Sequence, residues 1–396
     1  MMRQRQYKMA FEFIQHDLMQ RKENGLYRQS QISETAQGRY IKVAGKHYLN
    51  FSSNDYLGLA SDPHLIKAWQ KGAQLFGVGS GGSYLVTGYQ QAHADLTAQL
   101  KEWLGVPALA LFNSGYSANQ AIIKLLLDKN ALLVQDKLNH ASLIEAGVLS
   151  PCKMLRFKHN DMQHLNQLLK RSIKSDTLII SEGVFSMDGD SAPIKKLHTQ
   201  AKLFNAWLMI DDAHGLGVLG QQGQGSVVQA GLKNNAMHIY MATFGKALGV
   251  GGAFVAGSQD FIDHLTNFSK PYIYTTGLPP AMAYTIMIAS EMVAQDNWRR
   301  DKLQHLITKF KYLASQNGIL LAPSMTAIQP LIIGSTEKSI QMATKLKEEG
   351  FWVTAIRPPT VPVGQSRLRI TLTTRHELED IKALIKSICL VLHDDK

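Results

Sequence analysis

The stretch Ile239-Tyr-Met-Ala-Thr-Phe-Gly-Lys-Ala-Leu-Gly-Val-Gly-Gly252 places one lysine, Lys246, between an apolar strand-like run and a glycine-rich segment. A second apolar run, 253–256, follows at once. Glycines let the backbone approach a ligand closely. Partial burial lowers the pKa of a lysine, and a neutral amine can form a Schiff base. An isolated lysine in such a loop is usually solvated, so its role depends on the rest of the chain.

Apolar runs alternate with amphipathic helical patterns from residue 108 to residue 256. Each run is short and is followed by polar turn residues. Strands of this kind are buried on both faces of a mostly parallel sheet, with helices on each side. The predicted strands are 108–112, 131–135, 177–181, 207–210, 239–242 and 252–256.

The two ends of the chain show other patterns. The N-terminal segment begins as an amphipathic helix and continues as a polar arm, while helices and separate strands alternate beyond residue 285. The sequence therefore predicts an α/β chain with an N-terminal helix and arm over 1–45, a large domain over 46–285 and a smaller C-terminal α+β domain over 286–396. The strands expected in that last part are 328–333, 351–356 and 367–372.

The composition limits the class of protein. The 396 residues are 45% hydrophobic and 18% charged, which fits a soluble globular chain of two or three domains. Cys152 and Cys389 lack metal-ligand or redox spacing and indicate a reducing compartment. No metal-binding motif occurs, so no metal is expected. The apolar helix pattern 281–294 is too short to cross a membrane, and no signal-peptide pattern is present. A cytoplasmic protein without membrane attachment is predicted.

The formal net charge of +11 bears on the choice of partner. The basic residues are scattered along the chain and are not interleaved with aromatic residues, which argues against nucleic acid. An acidic small molecule or an acidic carrier protein fits this charge better. The charge is also compatible with a role in solubility alone.

Two glycine motifs do not fit the nucleotide-binding patterns that they resemble. Gly77-Val-Gly-Ser-Gly-Gly-Ser83 contains GxGxxG, but a helix pattern precedes it where the dinucleotide fingerprint needs a strand. A loop that lines a substrate cleft is predicted there, with a plain linker as the alternative. Gly245-Lys246 is not a phosphate-binding loop, because Tyr240 and Ala247 occupy positions that require glycine and serine or threonine.

Polar residues follow several of the predicted strands. In open α/β sheets, ligands bind beyond the carboxyl ends of the strands. The four motifs found there are Ser114-Gly-Tyr116, Asn139-His-Ala-Ser142, Glu182-Gly-Val-Phe-Ser-Met-Asp-Gly189 and Asp211-Asp-Ala-His-Gly-Leu-Gly217. We expect them to lie close together and, with Lys246, to form one site.

This combination of residues matches the chemistry of pyridoxal phosphate. The helix that opens at Gly115 offers free N–H groups and a positive dipole end to a phosphate. Asp211 lies where a buried strand ends, and an anion there needs a cationic partner such as a protonated pyridine nitrogen. His214 could donate to a neighbouring ring oxygen, and His140 could stack on the ring or transfer protons. With Lys246 as the Schiff-base residue, the set predicts a pyridoxal phosphate enzyme.

Five motifs resemble those of the α-oxoamine synthases, which are fold-type I pyridoxal phosphate enzymes. The resemblance covers nearly the whole chain and is weakest in the first thirty residues. It implies a mostly parallel seven-stranded sheet in the large domain. The motifs are Asn50-Phe-Ser-Ser-Asn-Asp-Tyr-Leu-Gly58, Glu182-Gly-Val-Phe-Ser-Met-Asp-Gly-Asp190, Asp211-Asp-Ala-His-Gly215, Thr243-Phe-Gly-Lys246 and Ile356-Arg-Pro-Pro-Thr-Val-Pro362.

The resemblance also implies a role for each residue of the site. Lys246 would bind pyridoxal phosphate covalently and later remove the substrate's α-proton. Asp211 would keep the pyridine nitrogen protonated, His214 would bind the ring hydroxyl and His140 would stack on the ring. The residues implied for the phosphate region are Gly115, Tyr116, Ser186 and Thr243. The residues implied for substrate are Arg28, Asn54, His140, Thr360 and Arg369, of which Arg369 would bind the carboxylate.

The reaction implied by the resemblance is a decarboxylative condensation of L-alanine with a pimeloyl thioester, carried on acyl carrier protein or on coenzyme A. The stretch 356–362 resembles the branch of the family that uses these substrates. A sibling that uses glycine, such as 2-amino-3-ketobutyrate ligase or 5-aminolevulinate synthase, remains the alternative, because the motifs around Lys246 are common to the family. The family also implies a homodimer with its sites at the interface.

Overall fold

The computed structural model describes residues 10–171 and 176–393. The first nine residues of the predicted N-terminal segment and the last three of the predicted C-terminal domain lie outside this part. The strands are β1 (Tyr40–Val43), β2 (Lys46–Asn50), β3 (Ala108–Phe112), β4 (Leu132–Asp136), β5 (Lys153–Phe157), β6 (Thr177–Glu182), β7 (Trp207–Asp211), β8 (Ile239–Thr243), β9 (Ala253–Gly257), β10 (Ile328–Gly334), β11 (Phe351–Trp352), β12 (Thr354–Ile356) and β13 (Ser366–Thr371).

The helices surround these strands. They are α1 (Phe13–Glu23), α2 (Pro63–Phe76), α3 (Gln91–Leu104), α4 (Gly115–Leu126), α5 (Ala141–Leu149), α6 (Met162–Lys170), α7 (Ile194–Leu203), α8 (Ser226–Gln229), α9 (Gln259–Phe268), α10 (Lys270–Ile273), α11 (Pro280–Gln295), α12 (Asn297–Gln316), α13 (Thr336–Glu348) and α14 (Leu378–His393). Within the described residues, no helix is long and apolar enough to cross a membrane.

A seven-stranded sheet forms the centre of the molecule, in the order β3-β9-β8-β7-β6-β4-β5. Only β9 runs antiparallel to its neighbours, β3 and β8. Every residue of β3, β4 and β9 is buried, because helices cover both faces of the sheet. The mostly parallel seven-stranded sheet and the α/β fold class predicted from the sequence are confirmed.

Two small sheets accompany the central one. The antiparallel sheet β10-β13-β12 packs against α13, and β13 also carries Arg369. The other sheet joins β1 and β2 to β11, so that Leu49 is the register partner of Phe351. The N-terminal part of the chain is therefore hydrogen-bonded to its C-terminal part. The division into 1–45, 46–285 and 286–396 stays a prediction.

The predicted strand positions agree with the structure to within about two residues, apart from three differences. The strand β1 lies in the segment that was predicted as a helix and a polar arm. The strand β5 was not predicted, because Lys-Met-Leu-Arg-Phe lies at the sheet edge, where its polar residues face solvent and interrupt the apolar pattern. The predicted strand 351–356 is divided into β11 and β12, which pair in different sheets. The helix α2 begins at Pro63, and the Asp62 side chain caps its N-terminus.

The N-terminal segment was predicted to begin as an amphipathic helix, and α1 forms there. No residue of α1 is buried, and the apolar side chains of Phe13, Ile14 and Leu18 are exposed. The sequence pattern predicted the helix, but the apolar residues of α1 are not packed against the rest of the single chain.

Candidate active site

The carboxyl ends of five parallel strands meet at one edge of the central sheet. A cavity of about 200 Å³ lies there, and it contains the four polar motifs that the sequence singled out together with Lys246. The lining residues are Gly115, Tyr116, Asn119, His140, Ser142, Glu182, Asp211, Ala213, His214, Met241, Thr243 and Lys246. The structure therefore brings together most of the residues predicted to bind the cofactor.

Lys246 follows β8 and is half-buried in this cavity. Its Nζ lies 2.8 Å from Nε2 of His214, whose Nδ1 lies 2.6 Å from the hydroxyl of Tyr56. Burial lowers the pKa of Lys246 to about 8, although the nearby carboxylates of Asp211 and Glu182 oppose that shift. Burial, and then the charge of Lys246, lower the pKa of His214 well below its usual value. Part of the Lys246 amine is thus neutral near pH 8, next to a neutral imidazole.

Asp211 is the last residue of β7, and only 4% of it is exposed. Its Oδ2 accepts a hydrogen bond from Nδ2 of Asn119 at 2.9 Å, and its Oδ1 accepts one from the backbone N–H of Ala213 at 3.1 Å. Two neutral donors leave the negative charge without a cation in hydrogen-bond contact among the described residues. The carboxylate lines the cavity and can therefore receive a cationic donor from a ligand.

The N-terminus of α4 forms another wall of the cavity. Ser114 caps this helix by accepting a hydrogen bond from the N–H of Ser117, and the helix begins at Gly115. Tyr116 and Thr243 lie beside it, and the Thr243 hydroxyl donates to the carbonyl of Gly252 at 2.7 Å. Free N–H groups at the start of a twelve-residue helix favour an anion such as a phosphate.

His140 occupies the N-terminal end of α5, where its ring is fixed by the helix. Its Nδ1 lies 2.9 Å from the hydroxyl of Ser142 and accepts from the Ser142 N–H at 3.3 Å. Burial lowers the pKa of His140, with Asp211 opposing and Lys246 reinforcing the shift. A neutral ring held in this way can stack on a planar ligand.

The predicted carboxylate-binding residue, Arg369, lies on β13 with 6% of its surface exposed. It donates to the carbonyl of Ser186 at 2.7 Å, to Oγ1 of Thr371 at 3.1 Å and to Oδ1 of Asn54 at 3.1 Å. All three acceptors are neutral, and no carboxylate pairs with Arg369 among the described residues. A buried guanidinium without an anion suits a carboxylate ligand.

Ser186, Asn54 and Arg369 are thus brought together, but the cavity lining does not include them. Ser186 contributes its backbone carbonyl to Arg369, whereas the sequence predicted a role near the phosphate. Arg28 and Thr360 form a separate pair, in which the guanidinium donates to Oγ1 at 3.0 Å on an exposed surface. The roles of these residues in substrate binding stay predictions.

The glycine-rich loop 77–83 lies outside the cavity lining. The N–H of Gly277 donates to the carbonyl of Gly82 at 2.9 Å, and the Ser80 hydroxyl donates to the carbonyl of Gly277. The next residue, Tyr84, is buried, and its hydroxyl accepts from the N–H of Leu278 at 2.9 Å. The loop is therefore attached to the segment before α11, and its predicted contact with substrate stays a prediction.

Several residues of the site were not predicted. Asn119 lies one turn into α4 and reaches both Asp211 and Ser142, which requires knowledge of the packing between α4 and β7. Glu182 was part of a quoted motif but received no role. Tyr56 belonged to another quoted motif, and only the three-dimensional structure shows its contact with His214. The position of Glu182 at the end of a buried strand was the one available signal.

An observation of the structure itself supports pyridoxal phosphate as the ligand of this cavity. Two buried polar atoms that belong to lining residues, Oδ1 of Asn119 and Oε1 of Glu182, have no hydrogen-bond partner in the protein. Such atoms are rare in folded proteins unless a ligand or water satisfies them. The cavity also offers a lysine, a carboxylate and a helix N-terminus, which are the groups that this cofactor needs.

The fold and the site belong to a known class of proteins. The family model described as aminotransferase class I and II matches residues 46–388, so the chain belongs to that family. Curated relatives from Vibrio vulnificus (strain YJ016) and Aliivibrio fischeri (strain ATCC 700601 / ES114) are both named 8-amino-7-oxononanoate synthase. The first is 48% identical over 380 residues, covering 96% of this chain and 97% of the relative. The second is 51% identical over 348 residues, covering 88% and 90%.

Solved structures agree with this grouping. A serine palmitoyltransferase from S. paucimobilis, solved with a bound PLP–myriocin aldimine, has a TM-score of 0.91 and is 25% identical over 97% of this chain and 98% of that one. An 8-amino-7-oxononanoate synthase from Francisella tularensis has a TM-score of 0.77 and is 28% identical over 88% and 98%. The family recognised from the sequence motifs is confirmed.

Proposed function

We propose that this protein condenses L-alanine with a pimeloyl thioester to give 8-amino-7-oxononanoate, carbon dioxide and the free thiol carrier, a step of biotin synthesis. The observation that carries the proposal is the single cavity in which Lys246, Asp211 and the N-terminus of α4 converge. The names of the relatives at 48% and 51% identity favour L-alanine and pimeloyl substrates over the glycine-using siblings.

Pyridoxal phosphate is the cofactor that the lining residues would hold. Lys246 Nζ would bind it covalently, Asp211 would keep a proton on the ring nitrogen, and the N–H groups at Gly115 and Tyr116 would face the phosphate with Thr243. His140 would lie against the ring. When bound, pyridoxal phosphate supplies an electron sink that stabilises negative charge at the Cα of an amino acid.

The residues of the chain would then manage protons and charge. After the amino acid has replaced Lys246 on the cofactor, the Lys246 amine would accept the α-proton of the amino acid. The lowered pKa of Lys246, about 8, makes part of the amine neutral and able to do so. In the structure, Nε2 of His214 lies 2.8 Å from Nζ, and with the cofactor bound His214 would also bind the ring hydroxyl. Asp211 keeps its negative charge within the cavity and stabilises positive charge on the ring nitrogen.

Arg369 would bind the carboxylate of the substrate. Its three neutral acceptors hold the guanidinium in a fixed orientation without neutralising it. Oδ1 of Asn54 lies 3.1 Å from the Arg369 guanidinium, so the Asn54 amide can accept or donate a hydrogen bond next to the same carboxylate. Arg28 and Thr360, which are hydrogen-bonded to each other, are proposed to contact the acyl substrate.

The acyl carrier and the assembly belong to the same proposal. The net charge of +11 suits both the phosphates of coenzyme A and the acidic surface of an acyl carrier protein. We expect a cytoplasmic homodimer with sites at the interface. The exposed side chain of Tyr116, which lines the cavity, supports this arrangement, since 46% of it is accessible in the single chain.

The test is a visible absorption spectrum of the purified protein, titrated with L-alanine and separately with glycine. A cofactor band that responds at a much lower concentration of L-alanine supports the proposal, and a preference for glycine would assign the chain to a sibling activity. The protein is then mixed with L-alanine and either pimeloyl-coenzyme A or pimeloyl acyl carrier protein, and the product is identified by mass spectrometry. No chromophore after addition of pyridoxal phosphate would refute the assignment.

A further inference from the structure

A chain of hydrogen bonds leads from Lys246 away from the cavity. Lys246 Nζ lies 2.8 Å from Nε2 of His214, and Nδ1 of His214 lies 2.6 Å from the Tyr56 hydroxyl. Tyr56 is 1% exposed, and its hydroxyl donates to Oδ1 of Asn54 at 3.2 Å. One orientation satisfies every contact: the amine donates to Nε2, Nδ1–H donates to the phenol oxygen and the phenol donates to the amide.

His214 and Tyr56 also border a second, small pocket. This Tyr56 pocket has a volume of about 30 Å³ and includes Val184 and Ala327 among its lining residues. His214 is the one residue that lines both the Tyr56 pocket and the larger cavity. A space of this size, bordered by the Tyr56 hydroxyl and the His214 ring, has room for roughly one or two water molecules.

The Tyr56 pocket opens to the surface through a wider groove. The groove has a volume of about 870 Å³ and lies beside α12. The groove and the pocket are adjacent, since they share six lining residues. These are Val218, Leu219, Arg300, Gln304, Met325 and Thr326. Polar side chains such as Gln304 and Arg300 make the passage suitable for water.

We propose that Tyr56 relays protons between Lys246 and solvent, through His214 on one side and water in the Tyr56 pocket on the other. This inference rests on the proposed function, because Lys246 must first take a proton from the amino acid. Tyr56 acts through His214 and is not among the residues that line the larger cavity. The path would let Lys246 exchange its proton with solvent while the cofactor and the amino acid fill the larger cavity.

The proton balance of the relay is complete without a co-reactant. The Lys246 ammonium gives a proton to Nε2 of His214, and Nδ1–H of His214 passes to the Tyr56 oxygen. The original phenol proton, which Tyr56 donates to Asn54 at rest, turns toward the Tyr56 pocket and leaves to water there, so that Tyr56 ends as a neutral phenol. His214 ends as the Nε2–H tautomer, and water carries the released proton away. Return of a proton follows the same bonds in reverse.

The surroundings of His214 favour transient rather than permanent protonation. Lys246, Arg369 and His140 all face it with positive charge or the capacity for it, and burial adds to their effect, so that its pKa is lowered. Burial raises the pKa of Tyr56 to about 12, opposed by Arg369, and keeps the phenol protonated between transfers. Both relay groups are thus neutral at rest.

The test follows exchange of the α-hydrogen of L-alanine in deuterated buffer, using the cofactor-loaded enzyme without thioester and proton NMR. We expect Tyr56→Phe to lower the exchange rate about tenfold or more, because the ring is kept and only the hydroxyl is lost. Ala327→Val narrows the Tyr56 pocket without touching the hydrogen bonds, and we expect a reduction of at least about threefold. Ala322→Val, a nearby half-buried alanine outside the pocket lining, is the matched control and should leave the rate unchanged.

A second measurement separates a relay from simple support of His214. The cofactor absorption band is titrated with pH, and Ala327→Val should follow the wild-type curve while its exchange is slower. Wild-type exchange rates in either Tyr56→Phe or Ala327→Val would overturn the relay. Absence of any exchange in the wild-type enzyme would instead contradict the proposed function.

Discussion

Glu182 is the register partner of Asp211 on the neighbouring parallel strands β6 and β7, so two carboxyl groups lie side by side at the bottom of the cavity. Burial, and then the charge of Asp211, raise the pKa of Glu182 well above its usual value, with Lys246 opposing. Two like charges on neighbouring strands are unfavourable in a buried site. We therefore expect Glu182 to be neutral and propose that Asp211 supplies the negative charge of the site.

This assignment predicts unequal effects of two isosteric substitutions. Glu182→Gln replaces a neutral acid by a neutral amide, so we expect both the affinity for pyridoxal phosphate and the turnover to change less than about threefold. Asp211→Asn removes the charge, and we expect turnover to fall by about 10²-fold or more, as when one preorganised electrostatic group is lost. Fluorescence titration of apo-protein with pyridoxal phosphate and a turnover assay measure the two effects. Equal losses in both variants would mean that the charge is shared or lies on Glu182.

The lowered pKa of Lys246 predicts how fast the apo-protein takes up its cofactor. Only the neutral amine attacks the aldehyde, and with a folded-state pKa of about 8 its neutral fraction rises as the pH increases through 8. We expect the rate of reconstitution, followed by stopped-flow absorption, to rise with a midpoint near pH 8 and then to level off.

Lys246→Ala is the matched control for that measurement. The variant should keep its circular dichroism spectrum, form no covalent cofactor band and lose condensation activity by about 10³-fold or more. A midpoint well above pH 9 in the wild-type protein would show that Lys246 is more hydrated than its half-buried position indicates. Substantial condensation by the variant would remove Lys246 from its proposed role.

The position of Arg369 predicts that its substitution weakens the binding of the substrate carboxylate and leaves thioester binding unchanged. Arg369→Lys keeps the positive charge but not the planar pair of donors, and a lysine cannot reach all three neutral acceptors at once. Loss of hydrogen bonds to a charged group costs about 1.5–3 kcal/mol, which is roughly a 10- to 100-fold rise in the KM for L-alanine. Steady-state kinetics measure this rise, and Arg28→Lys serves as a comparison that should affect the KM of the thioester instead. An unchanged KM for L-alanine in Arg369→Lys would place the carboxylate elsewhere.

The central sheet was predictable because its strands are continuous apolar runs that need no knowledge of their neighbours. Lys246, Asp211 and His214 were predictable as a group because strand ends gather ligands in this class of sheet. The edge strand β5 escaped, since its half-exposed residues do not form an apolar run. Asn119 and Tyr56 were not predicted for another reason. Their partners, Asp211 and His214, lie 92 and 158 positions away along the chain. Local patterns carry no information about such contacts.

His159 holds two acidic segments together beside the active site, and this arrangement predicts a pH-dependent stability. Its Nδ1 lies 3.0 Å from Asp136 at the end of β4, and its Nε2 lies 2.8 Å from Asp190 in the loop after β6. These two carboxylates outweigh the effect of burial and raise the pKa of His159 to about 10. Asp136 is fully buried, so the charge on His159 is needed to compensate it.

The sign of the effect follows from the raised pKa. Protonated His159 contributes its full stabilisation below the unfolded-state pKa of about 6.5, and the contribution is lost as the pH rises toward 10. We expect His159→Asn to lower the free energy of unfolding by about 1.5–3 kcal/mol at pH 6, the range for hydrogen bonds to charged groups, and by progressively less above pH 7. Urea denaturation of both proteins from pH 6 to pH 10 measures the difference, with exposed His305→Asn as the control. A difference that stays constant with pH would show that His159 acts through packing against Phe185 and not through its charge.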